Sequence, residues 1–317
     1  MGKPLRIANC LKGALIADAA ALGVHWIYDV DRVAKIAKTH GGSASFVPVD
    51  EANYENTKGY FAHPLRAPGA NTQYGEVTHL AIDCLLGNHG NFDADDYKKR
   101  FVAHFGPGGT YIGYIDHATR GTLENIAADK EDTGTDDVQM PALVALPAII
   151  ALDPSDAANA TRVTNDNPTS NNAVKVFRAL LTSVLNGSEL EDALKEASLV
   201  GEEELSELLQ NALNTDVTDS IVYGGETGRA CYLKSALPLG FHILKHTNSY
   251  EEAIELNNMC AGDNAGRSVF IGAVAGAYYN GVAERGIPQK WVEKYHNGEE
   301  IFDKCDRLAA MAENSTL

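Results

Sequence analysis

The chain has 317 residues, 44% hydrophobic and 22% charged, the balance of an ordinary globular protein long enough to bury a large core. Its 43 acidic residues against 26 basic ones give a formal net charge of −17, which argues against a nucleic-acid backbone or an anionic membrane as a partner. The five cysteines (Cys10, Cys84, Cys231, Cys260, Cys305) stand far apart with no C-x-x-C pair, so neither a zinc site nor a disulfide framework is expected. They read as small buried hydrophobes in a reducing compartment, and a cytoplasmic location is the expectation. No uncharged apolar run reaches the roughly 18 residues of a membrane span. The first apolar run carries Lys12 and Asp18 and lacks a cleavage site, so it does not read as a signal peptide.

In chain order, residues 7–22 predict a helix rich in Ala and Leu, with Gly13 permitting close packing and Asp18 either on a solvated face or turned into a site. His25-Trp26-Ile-Tyr28 follows, either a pocket wall or an aromatic core plug with a satisfied histidine. Asp29 or Asp31 is positioned to cap a short helix over 32–39. Residues 40–72 are loop-like, rich in Gly and Pro, and long enough to serve as a lid or binding loop; Tyr54, Tyr60, Phe61, His63 and Arg66 lie within them. Helices are predicted over 73–86, with Glu76 in its first turns, and over 92–105, capped by Asp93. The glycine-rich stretch 106–113, with Gly108 and Gly109, offers backbone amides to a pyrophosphate or simply connects helices, the next of which spans 115–125.

Asp136-Asp137 opens a predicted helix through 152, interrupted by Pro141 and Pro147. A turn at 164–168 leads to a long helix ending at Asn186-Gly187, and two acidic amphipathic helices occupy 188–200 and 202–213. Glycines at 224–228 break the chain before helices at 229–246 and 249–259, the latter with a Ser249/Glu252 capping box. A last helix is predicted from Ile287-Pro288 to about 311, and the final few residues are expected to fray. Alternation of period two is absent, so the fold class reads as all-α, one domain over 1–317 with a loop-rich insertion at about 40–72.

One stretch organises the rest. Asp263-Asn264 precedes a run of small apolar residues containing Gly266, Gly272, Ala273, Gly276 and Ala277. Glycine costs about 1 kcal/mol in a helix interior, so several in one helix imply that other backbones approach it closely. Asp263 then either caps a buried central helix or presents a carboxylate to a crevice at its N-terminus.

Gly13-Ala-Leu-Ile-Ala-Asp18-Ala, Gln73-Tyr-Gly-Glu76-Val-Thr78, Ala261-Gly-Asp263-Asn-Ala265-Gly266, and Ile287-Pro288 followed by Trp291 occur in this order across nearly the whole chain. Together they resemble the ADP-ribosylglycohydrolase family, and most closely its J-crystallin branch. The resemblance implies a compact all-α fold and a two-magnesium site that helps cleave ADP-ribose from a side chain or another conjugate, through an oxocarbenium-like transition state. It implies Glu76, Asp263 and His25 as catalytic candidates and Trp26, Tyr74, Asn264, Arg267, Gly108 and Gly109 as substrate contacts. The chain departs from the family pattern at Gly75, Val77, Ala265 and Gly266, and His25 falls where the early ligand glutamate is expected. At most one magnesium ion, on Asp263 and Glu76, is therefore expected. Arg267 suggests an anion held there without metal, since its fork suits phosphate or carboxylate. The partner implied is a small molecule such as ADP-ribose or an ADP-ribosylated substrate. Two functions stand open: a glycosidic-bond hydrolase with a degenerate metal site, and a non-catalytic ligand-binding or structural protein on the same fold. Oligomeric state has no signature in the sequence.

Overall fold

The computed structural model describes residues 2–279 and 284–314, and among the described residues it contains α-helices and no strand, only three isolated β-bridges. The helices are α1 (Lys3–Ala21), α2 (Val30–Thr39), α3 (Gln73–Gly87), α4 (Ala94–Phe105), α5 (His117–Ala127), α6 (Leu146–Leu152), α7 (Ala157–Arg162), α8 (Pro168–Leu185), α9 (Leu190–Ser198), α10 (Glu203–Asn214), α11 (Ser220–Thr227), α12 (Leu233–Lys245), α13 (Tyr250–Met259), α14 (Asn264–Tyr279), α15 (Gln289–Val292) and α16 (Gly298–Asn314). The expected fraying of the last few residues lies outside the described ones.

Local chemistry sets most helix starts. Asp29, Thr72, Asp93, Asp116, Asn167 and Asp219 each accept a backbone N–H of the first turn of α2, α3, α4, α5, α8 and α11. Ser249 accepts the Glu252 N–H at 3.1 Å, while the Glu252 carboxylate reaches back to the N–H of Asn248 at 2.7 Å. Four expectations are corrected. The segment 136–152 is not one helix: Pro141 and Pro147 each stand at a helix start, giving a 3-10 turn, Met140–Leu143, and then α6. The helix predicted from 115 starts two residues later, behind the Asp116 cap. The glycines at 224–225 lie inside α11, which Gly228 ends at a φ of 104°, and α12 begins only at Leu233. The closing helix is divided into α15 and α16.

The core is built on α14, of which residues 264–277 are all buried. It lies along α1, with α8, α12 and α13 around it, while α3 and α16 flank α1. Glycine makes this approach possible. A Cβ on Gly13 would stand 3.1 Å from the Cα of Gly276 and closer still to the carbonyl of Gly272. A Cβ on Gly276 would strike the carbonyl of Asn9. Tyr250 closes the contact by donating to the Gly13 carbonyl at 2.7 Å. The segment Lys3–Val24 is long and apolar enough to cross a bilayer, but 89% of its most apolar 18-residue window is buried against the rest of the protein.

The loop-rich segment between α2 and α3 is pinned along its length. Ser43 and the amide of Ala44 meet the Glu255 carboxylate, Ser45 accepts from Asn258, Tyr60 N–H donates to the Trp26 carbonyl, and the Gly69 carbonyl accepts from His296 N–H. Long loops have a small closure cost per added residue, and these ties supply the order that its sequence lacks.

Candidate functional site

The N-terminus of α14 presents Asp263, whose Oδ1 accepts the Gly266 N–H at 3.3 Å, so the residue is a helix cap. The same oxygen lies 2.7 Å from Nε2 of His25. His25 Nδ1 in turn lies 2.6 Å from Nε2 of His63. All three side chains are buried, at 0%, 2% and 2% exposure. The two ends of this chain, Asp263 Oδ2 and His63 Nδ1, are buried with no hydrogen-bond partner. A buried carboxylate oxygen without a donor is costly, and such atoms mark sites built for a ligand or a reaction.

Aromatic rings surround the pair. Trp26 and Tyr74 meet the His25 ring at centroid distances of 4.5 and 5.7 Å, and Trp26 meets Tyr114 edge-on at 5.0 Å and Tyr60 at 6.1 Å. Burial, and then the charge of Asp263, raise the phenols of Tyr28 and Tyr74 above their ordinary range and push the Cys231 thiol up to about 12. These groups therefore stay protonated and keep a hydrogen to donate. The backbone here is strained: Trp26 has φ 64° and Ala261 φ 60°, conformations that cost roughly 1–3 kcal/mol for such residues. The strain is held by a reciprocal pair, Trp26 N–H to the Gly262 carbonyl at 3.0 Å and Gly262 N–H to the Ile27 carbonyl at 2.6 Å. The turn sets the half-buried Trp26 ring beside the histidine.

Glu76 is engaged elsewhere. One oxygen takes a hydrogen bond from Arg66 Nη2 and the other lies 3.0 Å from His104 Nε2. The Arg66 guanidinium also stacks 4.8 Å from the Tyr111 ring centre. Burial alone would raise the Glu76 carboxyl, but the His104 hydrogen bond and the charges of His79, Arg66 and His104 outweigh it and hold it at about 2. Magnesium takes hard oxygen ligands in octahedral geometry. Here one Glu76 oxygen faces Arg66 and the other His104, and Asp263 Oδ1 faces His25. Among the described residues no three His, Cys, Asp or Glu side chains come together as a metal-ligand group. The residues do not fit the magnesium ion expected on Asp263 and Glu76.

Three further expected contacts have other partners. Arg267 is fully buried and spends its fork on the protein: Nε to Asn257 Oδ1 at 2.8 Å, Nη1 to the Arg229 carbonyl at 3.0 Å, and Nη2 to the Ala261 carbonyl at 2.6 Å. It fastens the loop that carries Asp263, and no anion is needed to satisfy it. Asn264 donates to Asn258 at 2.9 Å and to the Ala21 carbonyl at 3.3 Å, joining α14 to α13 and the end of α1. In the glycine stretch the amides of Gly106, Gly109 and Tyr111 bond to the carbonyls of Val102, Gly106 and His104, closing the C-terminal end of α4. A helix C-terminus carries negative dipole charge, so this loop is not a phosphate cradle. Gly108, at φ 78°, serves that turn. Of the residues singled out in the sequence, His25, Trp26, Tyr74 and Asp263 thus come together. His63, Tyr114 and Tyr60 complete the group. His63 and Tyr60 lie in the loop marked for its ring types, whereas Tyr114 carries no signal beyond its place before the Asp116 cap.

Asp18 supports the site from α1. Its carboxylate accepts from Asn71 Nδ2, Thr72 N–H and Thr72 Oγ1 at 2.8, 2.8 and 2.6 Å, fixing the start of α3. A Cβ at Gly75 would stand 2.5 Å from Asp18 Oδ2, which explains glycine there. Burial pushes the Asp18 carboxyl up to about 6, against the pull of those hydrogen bonds and of His25. Because the folded value exceeds the ordinary 3.8, the folded state binds the proton more tightly. The group's contribution to stability is therefore present at low pH and is lost as pH rises from about 4 to 6, by about 3 kcal/mol in all. Asp18→Asn removes this dependence, so urea titrations should show the wild type gaining on the variant as pH falls from 7 to 4. Equal slopes would mean that burial does not hold the proton.

Comparison with known proteins agrees with this architecture. The sequence profile described as ADP-ribosylglycohydrolase matches residues 3–316. Crystallin J1A of Tripedalia cystophora is 24% identical over 328 residues, covering 96% of this chain and 97% of its own length. Crystallin J1B of the same organism is 23% identical over 336 residues with the same coverage. A solved structure described as an ADP-ribosylglycohydrolase-related protein complex matches with a TM-score of 0.68 over 98% of this chain and 99% of its own, at 21% identity, a likeness of fold. The profile spans nearly the whole length, and the chain belongs to the ADP-ribosylglycohydrolase family.

Proposed function

We propose that this protein binds an ADP-ribosyl-type small molecule beside the Asp263–His25 pair at the N-terminus of α14 and hydrolyses its glycosidic bond without a metal. The observation that carries the reading is the buried Asp263–His25 pair with a carboxylate oxygen left free. In this reading His25 holds Asp263 by one oxygen, and the free Oδ2 accepts a proton from the attacking water or faces the developing oxocarbenium charge. Tyr74, kept protonated by burial, supplies a donor to the ligand, and the Trp26–Tyr114–Tyr60 surface stacks a planar ring. Family membership supports the hydrolase class.

The test is release of ADP-ribose from ADP-ribosylated arginine and serine peptides, with magnesium and with EDTA. Turnover should be indifferent to EDTA and fall about a hundredfold or more in Asp263→Asn. Turnover abolished by EDTA would overturn the metal-free reading. A second reading has a specific observation behind it: the full-length likeness to two crystallins, together with a Glu76 whose two oxygens are taken up by Arg66 and His104. In that case the site binds without reacting, and calorimetry would record ADP-ribose binding while no peptide is cleaved.

A further inference from the structure

We propose that His63 is a positioning residue of this site: its Nε2–H, delivered by the loop between α2 and α3, holds the His25 ring in the orientation that donates to Asp263. The inference deepens the reading above, on which its activity test alone rests.

Donor and acceptor counting gives the direction of each bond. A carboxylate only accepts, so the hydrogen in the 2.7 Å contact belongs to His25 Nε2. Were His25 Nδ1 also to carry a hydrogen, His63 Nε2 would have to accept and the His63 N–H would fall on its buried, partnerless Nδ1, so His25 Nδ1 is the lone pair. That atom lies in a side chain 2% exposed, and the hydrogen-bond partner recorded for it is His63 Nε2 at 2.6 Å. His63 must therefore donate, and its own Nδ1 is left as a lone pair. The absence of any partner at His63 Nδ1 agrees with this, because a buried N–H there would need an acceptor. Burial, reinforced by the charge of Arg66, keeps His63 neutral. The two rings lie nearly parallel, 16° apart with centroids at 4.9 Å.

The loop is fixed on both sides of His63. Tyr60 N–H bonds to the Trp26 carbonyl at 3.2 Å, and Tyr28 N–H to the Lys58 carbonyl at 2.8 Å. Arg66 N–H bonds back to the His63 carbonyl at 3.2 Å, and Arg66 Nε to the Asn71 carbonyl at 2.8 Å. A purely packing role would ask only for a flat ring at this position, whereas the geometry requires a donor.

Long-range proton–nitrogen spectra of the histidine rings in the intact protein test the proposal. The wild type should show His25 protonated at Nε2 and its Nδ1 shifted as a hydrogen-bonded acceptor. His63→Phe should move Nδ1 to the position of a free acceptor, and His63→Gln, which retains an amide donor, should restore it. A proton on His25 Nδ1 in the wild type would overturn the proposal even if neither variant folds, as would an unchanged Nδ1 in His63→Phe. Where the wild type turns over, His63→Phe should lower kcat about ten- to a hundredfold with KM little changed, and the glutamine should recover part of it. An unaltered kcat in His63→Phe would equally overturn the positioning role. A wild type without turnover removes the hydrolase reading and leaves the spectral test standing.

Discussion

Arg267→Met should cost about 3 kcal/mol or more of folding stability while leaving the chemistry of any bound ligand untouched. The arginine is fully buried, and methionine fills a similar volume without a donor. Its loss leaves the Ala261 carbonyl and the Asn257 side-chain oxygen without their recorded donors and removes one of the two donors to the Arg229 carbonyl. Each stranded buried acceptor costs about 1–3 kcal/mol, partly offset because the guanidinium no longer has to be desolvated. Desolvation is a real opposing effect here, since burial lowers the pKa of Arg267 from its ordinary value. Arg267→Lys should recover little, because a single ammonium cannot span acceptors set for a planar fork. Urea unfolding of the two variants decides the matter. Unchanged stability with weakened binding of ADP-ribose would return Arg267 to the role of anion holder.

Gly272→Leu should be the most damaging single change in the core, lowering stability by about 4 kcal/mol or more and the melting temperature by about 10 °C. The missing side chain at 272 is what lets α14 touch α1: a Cβ there would stand 2.5 Å from the Cβ of Ala17 and 3.0 Å from the backbone carbon of Gly13. Interiors packed at crystal density have no slack into which a branched side chain could move, so the helices must separate along their length. Separation would also pull the Gly13 carbonyl from Tyr250 and displace Asp263, which stands one residue before α14. Gly272→Ala should fall in between, combining a smaller overlap with the better helix propensity of alanine, worth about 1 kcal/mol. Thermal melts of the two variants check this order. A leucine variant as stable as the wild type would mean that α1 and α14 can slide apart freely.

The sequence by itself determined the all-α class, the capped helix starts such as those of α4 and α13, and the central place of the small-residue segment. Each of these depends on groups close together in the chain. A cap such as Asp93 meets amides two and three residues on, and the spacing of Gly272 and Gly276 marks one face of α14 whatever lies opposite. Asp263 was legible as a cap for the same reason. Where proline and glycine act through neighbours, local sequence does not fix the element, as in the division of 136–152 and in the glycines that α11 accommodates.

Only the tertiary structure decided the partners of the charged and polar side chains. Asp263 meets His25 across 238 positions of chain, and Arg267 meets the carbonyl of Arg229 across 38. Glu76, an apparent metal ligand by its place in a motif, is closed off by Arg66 and His104, which approach from a loop and from another helix. The physical reason is that a buried charge or donor must be satisfied by whatever group the fold brings within about 3 Å, and desolvation enforces that match regardless of separation in sequence. Residue type limits what such a group can do, while the packing of α1 against α14 and the pinned loop decide which of those possibilities is realised.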